Sequence, residues 1–433
     1  MKTRHITDGR KGKGIVFLLL MLSLIIFWQN AWAEEALDLQ GLIDEAVKNS
    51  PDIRAFGSRS EAARYRIPQA GNLPDPMFMF GYQNEGFQRI TIGEETQAMG
   101  MFSLSQMFYF PGKRSIREEM ARWDAEGIAA LHDAAKLRLA ARVKEVYYEL
   151  FLAYKIIDIL KERADIFTRV EDAANARYSS GTGMQQEVLM AQTEKYMLLE
   201  REEMQKQKIE TLKGMLNSLV GRPVTSPLGR PSSMPLTRFT LPLGELLSMA
   251  REHSPEVRSK EKMVKAAEAK VKMAKKDYYP DVTIGTAYFP RTQGLMDMWN
   301  LTATINLPIY YKTKQAQAVL EASASVNEAK NELQATELML ASSVRESYSM
   351  GTSAERLMTL YKDALIPKAQ QDVQLSLSGY VTGKTDAITI VTRLKTFLDV
   401  ELLYWNQHTE REKAIARLHA LTATQDMARG AEK

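Results

Sequence analysis

The chain has 433 residues, with 57 lysines and arginines, 53 aspartates and glutamates, and no cysteine. The basic excess belongs to residues 1–33, which hold five basic residues and one acidic residue, so the rest of the chain has 52 of each. A neutral chain offers no broad basic surface for binding nucleic acid. A chain without cysteine forms no disulfide, and it cannot be lipidated on an N-terminal cysteine.

Residues 1–33 have the pattern of a signal peptide. A basic segment containing Lys2 and Arg4 precedes the apolar run 15–27, and Ala31-Trp32-Ala33 supplies the small residues of a cleavage site. The apolar run is shorter than the roughly 20 residues of a membrane-spanning helix, although an uncleaved anchor is the alternative. We therefore expect an exported protein that begins at Glu34 and is not lipid-anchored. No later apolar run approaches a spanning length, so any membrane crossing would use strands.

The remaining chain contains the same order of elements twice, about 200 residues apart. Residues 42–54 return as 246–258, and the run that begins at Tyr178 returns at Tyr380. Such a period is too long for a solenoid and indicates a duplicated module. We predict a first repeat at 34–222, a proline-rich connector at 223–242, a second repeat at 243–424 and a tail at 425–433.

Each repeat begins with two helices. The first is predicted at about 40–48 or 243–252, and the second starts after Ser50 or Ser254. A serine followed by proline indicates a helix start, in which the serine side chain caps the helix and the proline occupies the first turn. Pro74 and Pro280 should end these second helices.

Two strands with alternating polarity follow in each repeat, at about 76–84 and 99–109 and at about 281–289 and 299–308. One side of each strand is apolar and the other is small or polar, which is typical of a barrel between lipid and a wet lumen. A half-buried hairpin in a soluble domain is the alternative for any single strand. The residues expected to face lipid are Phe78, Phe80, Tyr82, Phe102, Leu104, Val282, Ile284, Tyr288, Trp299, Leu301 and Ile305.

An unusually long helix follows each pair of strands, at about 112–178 and 312–378, the second interrupted by Gly351 and Pro367. A helix of this length measures roughly 100 Å. A glycine turn and a return helix, at about 184–220 or 385–422, complete each repeat. Four strands cannot close a barrel, and an open edge in lipid costs several kcal/mol for each unpaired backbone group. We therefore expect three chains to share one barrel of twelve strands, continued by a barrel of helices.

Several duplicated motifs carry a resemblance to a known family. They are the Ser-Pro-acidic starts at 50–54 and 254–258, Leu73-Pro74-Asp75-Pro76, Phe110-Pro111-Gly112-Lys113-Arg114, and the turn from Arg177 to Gly183. In this order the chain resembles the TolC-type outer-membrane efflux channels, and the second and third motifs are similar to those of its heavy-metal-efflux members.

The resemblance implies a mainly α fold with a small β part. It implies a homotrimer in outer-membrane lipid with a long periplasmic extension, docked to a periplasmic membrane-fusion adaptor and to an inner-membrane pump of the RND type. The sequence contains no nucleophile elbow, phosphate-binding loop or His-Glu-x-x-His motif, so it supports neither an enzyme nor a cofactor. A duct for type I protein secretion remains an alternative, as does a structural periplasmic coiled coil or adaptor of a different class.

The resemblance also implies two sites at the end opposite the membrane. The adaptor is expected at the two helical turns, because they are the tight turns at that end of the chain; a turn with no partner is the alternative. The turns are formed by Arg177, Tyr178, Gly181, Thr182, Gly183, Gly379, Tyr380, Gly383, Lys384 and Thr385. The periplasmic aperture is expected at Glu187, Asp386, Thr389 and Thr392. The founding type carries aspartates where this chain has Thr389 and Thr392. Asp386 lies one turn earlier, where complementing a helix N-terminus is the alternative role.

Methionines recur on the strands, at Met77, Met79, Met101 and Met107. Thioether ligands for copper(I) and adaptable packing residues are both consistent with them, and packing is the ordinary role of methionine. The histidines lack the spacing of a zinc site. The sequence therefore predicts no metal centre.

Overall fold

The structure is a computed structural model that describes residues 37–91, 94–291 and 294–424. The predicted signal peptide at 1–33, the N-terminus at Glu34 and the tail at 425–433 lie outside these residues. None of the described helices is long and apolar enough to cross a membrane.

The described elements follow the predicted order twice. The first repeat contains α1 (Leu39–Asn49), α2 (Pro51–Gly71), β1 (Met77–Gln83), β2 (Met99–Phe108), α3 (Lys113–Ser179) and α4 (Gln185–Val220). The second contains α5 (Leu243–His253), α6 (Pro255–Lys276), β3 (Val282–Phe289), β4 (Met298–Ile305), α7 (Gln315–Leu360), a π-helical turn (Tyr361–Leu365), α8 (Ile366–Val381) and α9 (Ala387–Thr422). The prediction of a mainly helical fold with two strands in each repeat is confirmed.

The contacts divide the chain into two compact units, and each unit draws on both repeats. Among the described residues, the first unit contains 37–44 with Val143–Leu236 and Thr359–Thr409. The second contains the described residues of Glu45–Arg142 and Thr237–Met358, together with 410–424. The two copies in the sequence are therefore not the two compact bodies of the fold.

The first unit is built on a core to which four helices contribute. Its buried side chains include Phe167 from α3, Leu198 from α4, Val373 from α8 and Leu394 from α9. Ion pairs link the same helices at the surface of this core, among them Arg163 with Glu401 at 2.9 Å. The helical hairpins of the two repeats are thus packed on one another by apolar burial, which is the dominant stabilising term.

The second unit contains a small helical core and the sheet. Leu246 of α5, Val257 of α6, Val344 of α7 and Leu418 of α9 are buried together. The sheet is antiparallel with the order β1-β2-β3-β4, so that β2 and β3 join the two repeats.

The serine caps are a correction to the prediction. Neither Ser50 nor Ser254 makes a side-chain capping bond. Each serine is the single residue between two helices, and its backbone N–H bonds back to Ala46 or Ala250 of the preceding helix. Both serines are buried, so a small residue at a tight joint explains them better than capping.

The second long helix also differs from the prediction. Gly351 does not interrupt it, because α7 continues through this residue to Leu360. The interruption is the π-helical turn just before Pro367, in which the N–H of Ile366 bonds to the carbonyl of Tyr361, five residues back. A proline cannot donate the next helical bond, and the wider turn absorbs that loss without ending the helix.

The last strand ends three residues earlier than predicted. Its final paired residue, Ile305, lies opposite Val282, which is the first residue of β3. Beyond that point the partner strand has ended, and the Asn306 N–H donates to the carbonyl of Asp281.

Candidate functional site

The sheet separates its side chains into two chemically different faces. The register places Phe80 opposite Phe102, Phe102 opposite Tyr288, and Tyr288 opposite Trp299. All eleven residues predicted to face lipid lie on this one face, which we call the aromatic face. Phe80, Trp299 and Leu301 are 77, 75 and 70 % exposed in the single chain. The rest of the chain does not cover this apolar face. Such an exposed apolar face indicates that it contacts lipid or another protein.

The opposite face carries small, polar and thioether side chains. Ser103 pairs with Ala287 and Met79, and Gly285 pairs with Ser105 and Thr302. None of the four strands contains a charged residue. We call this the polar face.

A buried lysine fixes the base of the sheet to the helices. The Lys113 side chain is only 4 % exposed, and its ammonium group lies 3.0 Å from Asp281 and 3.3 Å from Asp277. Asp281 also accepts the N–H of Phe110 at 2.8 Å. The Phe110 ring stacks on Tyr279 with 4.4 Å between centroids. Lys113 belongs to a motif that the sequence shows, but its pairing with Asp281 could not be predicted because the two residues lie in different repeats.

The two predicted docking turns share one backbone design. Gly181 and Gly383 have φ values of 74° and 73°, the left-handed region that glycine occupies without strain. The amide of Gly183 returns to the carbonyl of Arg177, and that of Thr385 returns to Gly379. A Cβ on Gly379 would stand 2.2 Å from the Thr385 hydroxyl, so this position requires glycine.

The structure brings these two turns together within the first unit. Arg177 donates to the carbonyl of Tyr380 at 3.3 Å, and its guanidinium carbon lies 4.7 Å from the centre of the Tyr380 ring. Tyr178, Thr182 and Lys384 remain exposed. The predicted docking residues therefore form one two-turn surface, except for Tyr380, whose side chain is buried in the core and lies beneath it. The bond from Arg177 to the Tyr380 carbonyl joins the two halves.

Glu187 lies beneath this surface and not on it. Its side chain is buried, and among the described residues neither its Oε2 nor the Tyr380 hydroxyl has a hydrogen-bond partner. Burial raises the pKa of Tyr380, the nearby Glu187 carboxylate raises it further, and Arg177 opposes the change. Glu187 and Tyr380 thus form a buried pair of polar side chains beneath the two turns.

The other predicted aperture residues lie on the first turns of α9. Asp386 accepts the amide of Thr389 at 2.9 Å, and hydrogen bonds from the side chain and backbone of Thr389 lower its pKa. The Thr392 hydroxyl donates to the carbonyl of Ile388 at 2.8 Å. Asp386 thus caps α9, which is the alternative role weighed from the sequence, while the side chain of Thr392 is exposed.

No group of three or more histidine, cysteine, aspartate or glutamate residues comes together as a metal site in the described part of the chain.

Comparison with known proteins gives relatives of similar length and organisation. The chain is 22 % identical over 378 residues to the cobalt-zinc-cadmium resistance protein CzcC of Cupriavidus metallidurans, covering 85 % of each chain. Among solved structures it is similar to the outer-membrane channel OprN, with a TM-score of 0.78 and 17 % identity over 89 % of each chain. It is also similar to VceC of Vibrio cholerae, with a TM-score of 0.75 and 18 % identity over 89 % of this chain and 96 % of that one. The channel CusC matches with a TM-score of 0.74 and 14 % identity over 90 and 92 %.

These structures share the fold. The model of one family matches residues 42–221 and again residues 246–424. Since these two matches cover most of the chain, it belongs to the outer membrane efflux protein family, whose members are channels of the outer membrane and not enzymes.

Proposed function

We propose that three copies of this chain form one duct that receives small molecules or metal ions from a periplasmic adaptor and an RND-type inner-membrane pump. The observation that carries the proposal is the pair of glycine turns, one from each repeat, joined by Arg177 and Tyr380 into a single exposed surface. Both turns are held by backbone hydrogen bonds, and they present the exposed Tyr178, a residue type that is enriched at protein interfaces.

The sheet supports the membrane end of the proposal. Its aromatic face is uncovered within one chain, and its edge strands β1 and β4 each have an unpaired side. Pairing β1 of one copy with β4 of the next removes both unpaired edges. A strand that crosses a bilayer needs this pairing, because lipid offers no hydrogen-bond partner to its backbone groups. Three copies then give twelve strands.

The relative CzcC is named for resistance to cobalt, zinc and cadmium. Its similarity over 85 % of both chains supports metal ions as cargo. At 22 % identity, this support concerns the class of cargo and not a particular ion.

Site-specific photo-cross-linking tests the docking surface. A cross-linker at Thr182 or Lys384 should capture a periplasmic adaptor in cells that express the pump system. Matched cross-linkers at Phe87, in the loop between β1 and β2, and at Leu295, in the loop between β3 and β4, should not capture the adaptor. Capture from these loops, with none from the turns, would place the adaptor elsewhere.

The aperture has a separate electrical test. Thr389 and Thr392 bring no fixed charge to the periplasmic opening, and Asp386 is engaged in capping α9. Trivalent cations should therefore block the reconstituted channel weakly, since a ring of carboxylates is what binds them tightly. Thr389→Asp with Thr392→Asp should strengthen the block. Tight block of the unmodified channel that Asp386→Asn abolishes would assign the ring to Asp386 instead.

A further inference from the structure

The segments at the base of the sheet are rich in aromatic residues. We call the following residues the base segments: 109–117, 275–281 and 306–314. Phe110 stacks on Tyr279 with 4.4 Å between centroids, and the centroids of Tyr278 and Tyr311 are 6.5 Å apart. Tyr310 is 70 % exposed, and Tyr279 and Tyr311 are half exposed. Ring contacts therefore connect all three segments, and the chain leaves much of the ring surface uncovered.

These segments lie where an uncharged sheet meets charged helices. The four strands contain no charged residue. Directly beyond the strands, the exposed Leu307 and Ile309 accompany the tyrosines, and lysines and arginines follow. A tyrosine ring has an apolar body and a polar hydroxyl, so it is favoured where lipid tails meet water. The base segments thus have the composition of a membrane–water boundary.

The base segments carry an excess of positive charge. They contain seven basic residues and two acidic residues. Both acidic residues pair with the buried Lys113. Among the described residues, Lys275, Lys276 and Lys314 have no carboxylate partner. Their charge is therefore available to an anionic partner outside this chain.

Two further contacts hold cations against the aromatic rings. The Lys276 ammonium nitrogen lies 5.4 Å from the centre of the Phe110 ring and 5.6 Å from that of Tyr279. The guanidinium carbon of Arg117 lies 4.1 Å from the centre of the Tyr109 ring. A ring face attracts a cation but offers no strong hydrogen-bond acceptor, so the N–H groups can still donate to an oxygen. The rings position these cations without neutralising them.

Helix electrostatics account for only some of these cations. Lys275 and Lys276 lie in the last turn of α6, where the helix dipole favours positive charge. Lys314 directly precedes α7, where the dipole disfavours positive charge, and the first turn of α7 contains no acidic residue that balances it. An anionic partner at the base explains a lysine at this position.

Position and charge together identify the class of partner. The base segments continue directly from the aromatic face, so a lipid that contacts this face has its headgroup at the level of the tyrosines and lysines. Lysines near a membrane surface attract anionic lipids. A zwitterionic headgroup is a weaker partner, because its own amine balances the charge of its phosphate.

We infer that the base segments bind the headgroups of anionic phospholipids, with Lys275, Lys276 and Lys314 donating to phosphate oxygens. The inference rests on the proposed function, in which the aromatic face meets lipid. It adds a preference for one lipid charge and locates that preference at the helical end of the sheet.

Lipid titration of the purified full-length protein in a neutral detergent tests the inference. Spin-labelled phosphatidylglycerol is the probe, spin-labelled phosphatidylcholine is the zwitterionic comparison, and inorganic phosphate is the competitor. The test variant combines three substitutions in the base segments: Lys275→Gln, Lys276→Gln and Lys314→Gln. The control variant removes the same charge from exposed lysines elsewhere: Lys48→Gln, Lys362→Gln and Lys368→Gln.

We expect the parent and the control variant to bind phosphatidylglycerol at least about tenfold more tightly than phosphatidylcholine, and the test variant to lose most of this preference. Equal affinity of the parent for the two lipids would overturn the inference, as would an unchanged preference in the test variant. Displacement of the lipid by inorganic phosphate would indicate a site for free anions and would also overturn it. Should the triple variant fail to assemble, Lys276→Gln replaces it, with an expected loss of about fivefold.

Failure of this inference is distinguishable from failure of the proposed function. Potassium conductance of the parent, reconstituted in phosphatidylcholine, depends on the duct and not on anionic lipid. A parent that conducts but shows no preference for phosphatidylglycerol would reject the lipid site alone. A parent that forms no channel would reject the duct.

Discussion

Replacing Leu301 with arginine puts a charge on the aromatic face, near the middle of β4. The side chain is 70 % exposed in the single chain, so the change removes little packing within the subunit. In water such a surface substitution would alter stability by only about 0.5 kcal/mol. If the face meets mid-bilayer lipid, the cost rises to about 2–4 kcal/mol. With one arginine in each of three subunits, the trimer loses roughly 6–12 kcal/mol.

Thr304→Arg is the matched control on the polar face. Thr304 pairs with Thr283 and is exposed, so an arginine there extends into the proposed lumen. We expect a loss below about 1 kcal/mol for each subunit, because the charge stays in water. Thr302 is a poorer control, because its hydroxyl donates to the carbonyl of Gly285 at 3.2 Å and its loss would add a second effect.

Denaturant titration of protein refolded into phospholipid vesicles measures both variants at one fixed protein concentration. Tryptophan fluorescence follows the transition, and Trp299 on β4 reports from the strand itself. Equal losses for Leu301→Arg and Thr304→Arg would refute the assignment of the faces. A neutral result for Leu301→Arg would refute contact with lipid.

Two further predictions concern the second unit. Lys113→Met should lower the free energy of unfolding by about 3 kcal/mol, because it leaves the partly buried Asp281 carboxylate without its cation. Thermal unfolding measures this effect, and the exposed control Lys312→Met should change stability little. Equal effects of the two substitutions would contradict a structural role for the Lys113–Asp281 pair. Burial, and then the positive charge of a nearby lysine, lowers the pKa of His132 below its usual 6.5. As pH falls below 6.5 the unfolded chain therefore takes up the proton before the folded chain does, and stability falls. His132→Gln should remove this part of the acid destabilisation, and an unchanged dependence of the unfolding temperature on pH would contradict it.

Local patterns predicted most of the fold. Strict alternation over Trp299–Ile305 locates a strand because neighbouring side chains point to opposite faces, and the lack of proline from Gly112 to Tyr178 allows one long helix. The same alternation identified the aromatic face before any register was known. These features depend on residues that are close in sequence, so they could be predicted from it.

Features that depend on distant residues were missed. The serine side chains at the joints are buried by neighbours that the sequence does not reveal, so their lack of capping bonds could not be foreseen. The π-helical turn is the chain's response to Pro367, and local sequence does not predict it because a proline can also kink or end a helix.

In the candidate site, too, features that depend on local sequence could be predicted and features that depend on distant residues could not. Glycine turns and their positive φ follow from local sequence, whereas the bond from Arg177 to Tyr380 spans 203 residues. Glu187 was assigned to the aperture from its position alone, and its burial beside Tyr380 emerges only from the packed helices.

Cross-linking of edge strands is the most direct test of a duct shared by three copies. The chain has no cysteine, so one introduced in β1 and one in β4, at Phe80 and Ala303, are the only thiols present. A bifunctional maleimide applied to outer membranes should give a covalent trimer on a denaturing gel, with dimer as its only intermediate. Each single-cysteine protein should stay monomeric. Monomer alone from the double variant, or a ladder that continues beyond three chains, would contradict the closed barrel of three subunits.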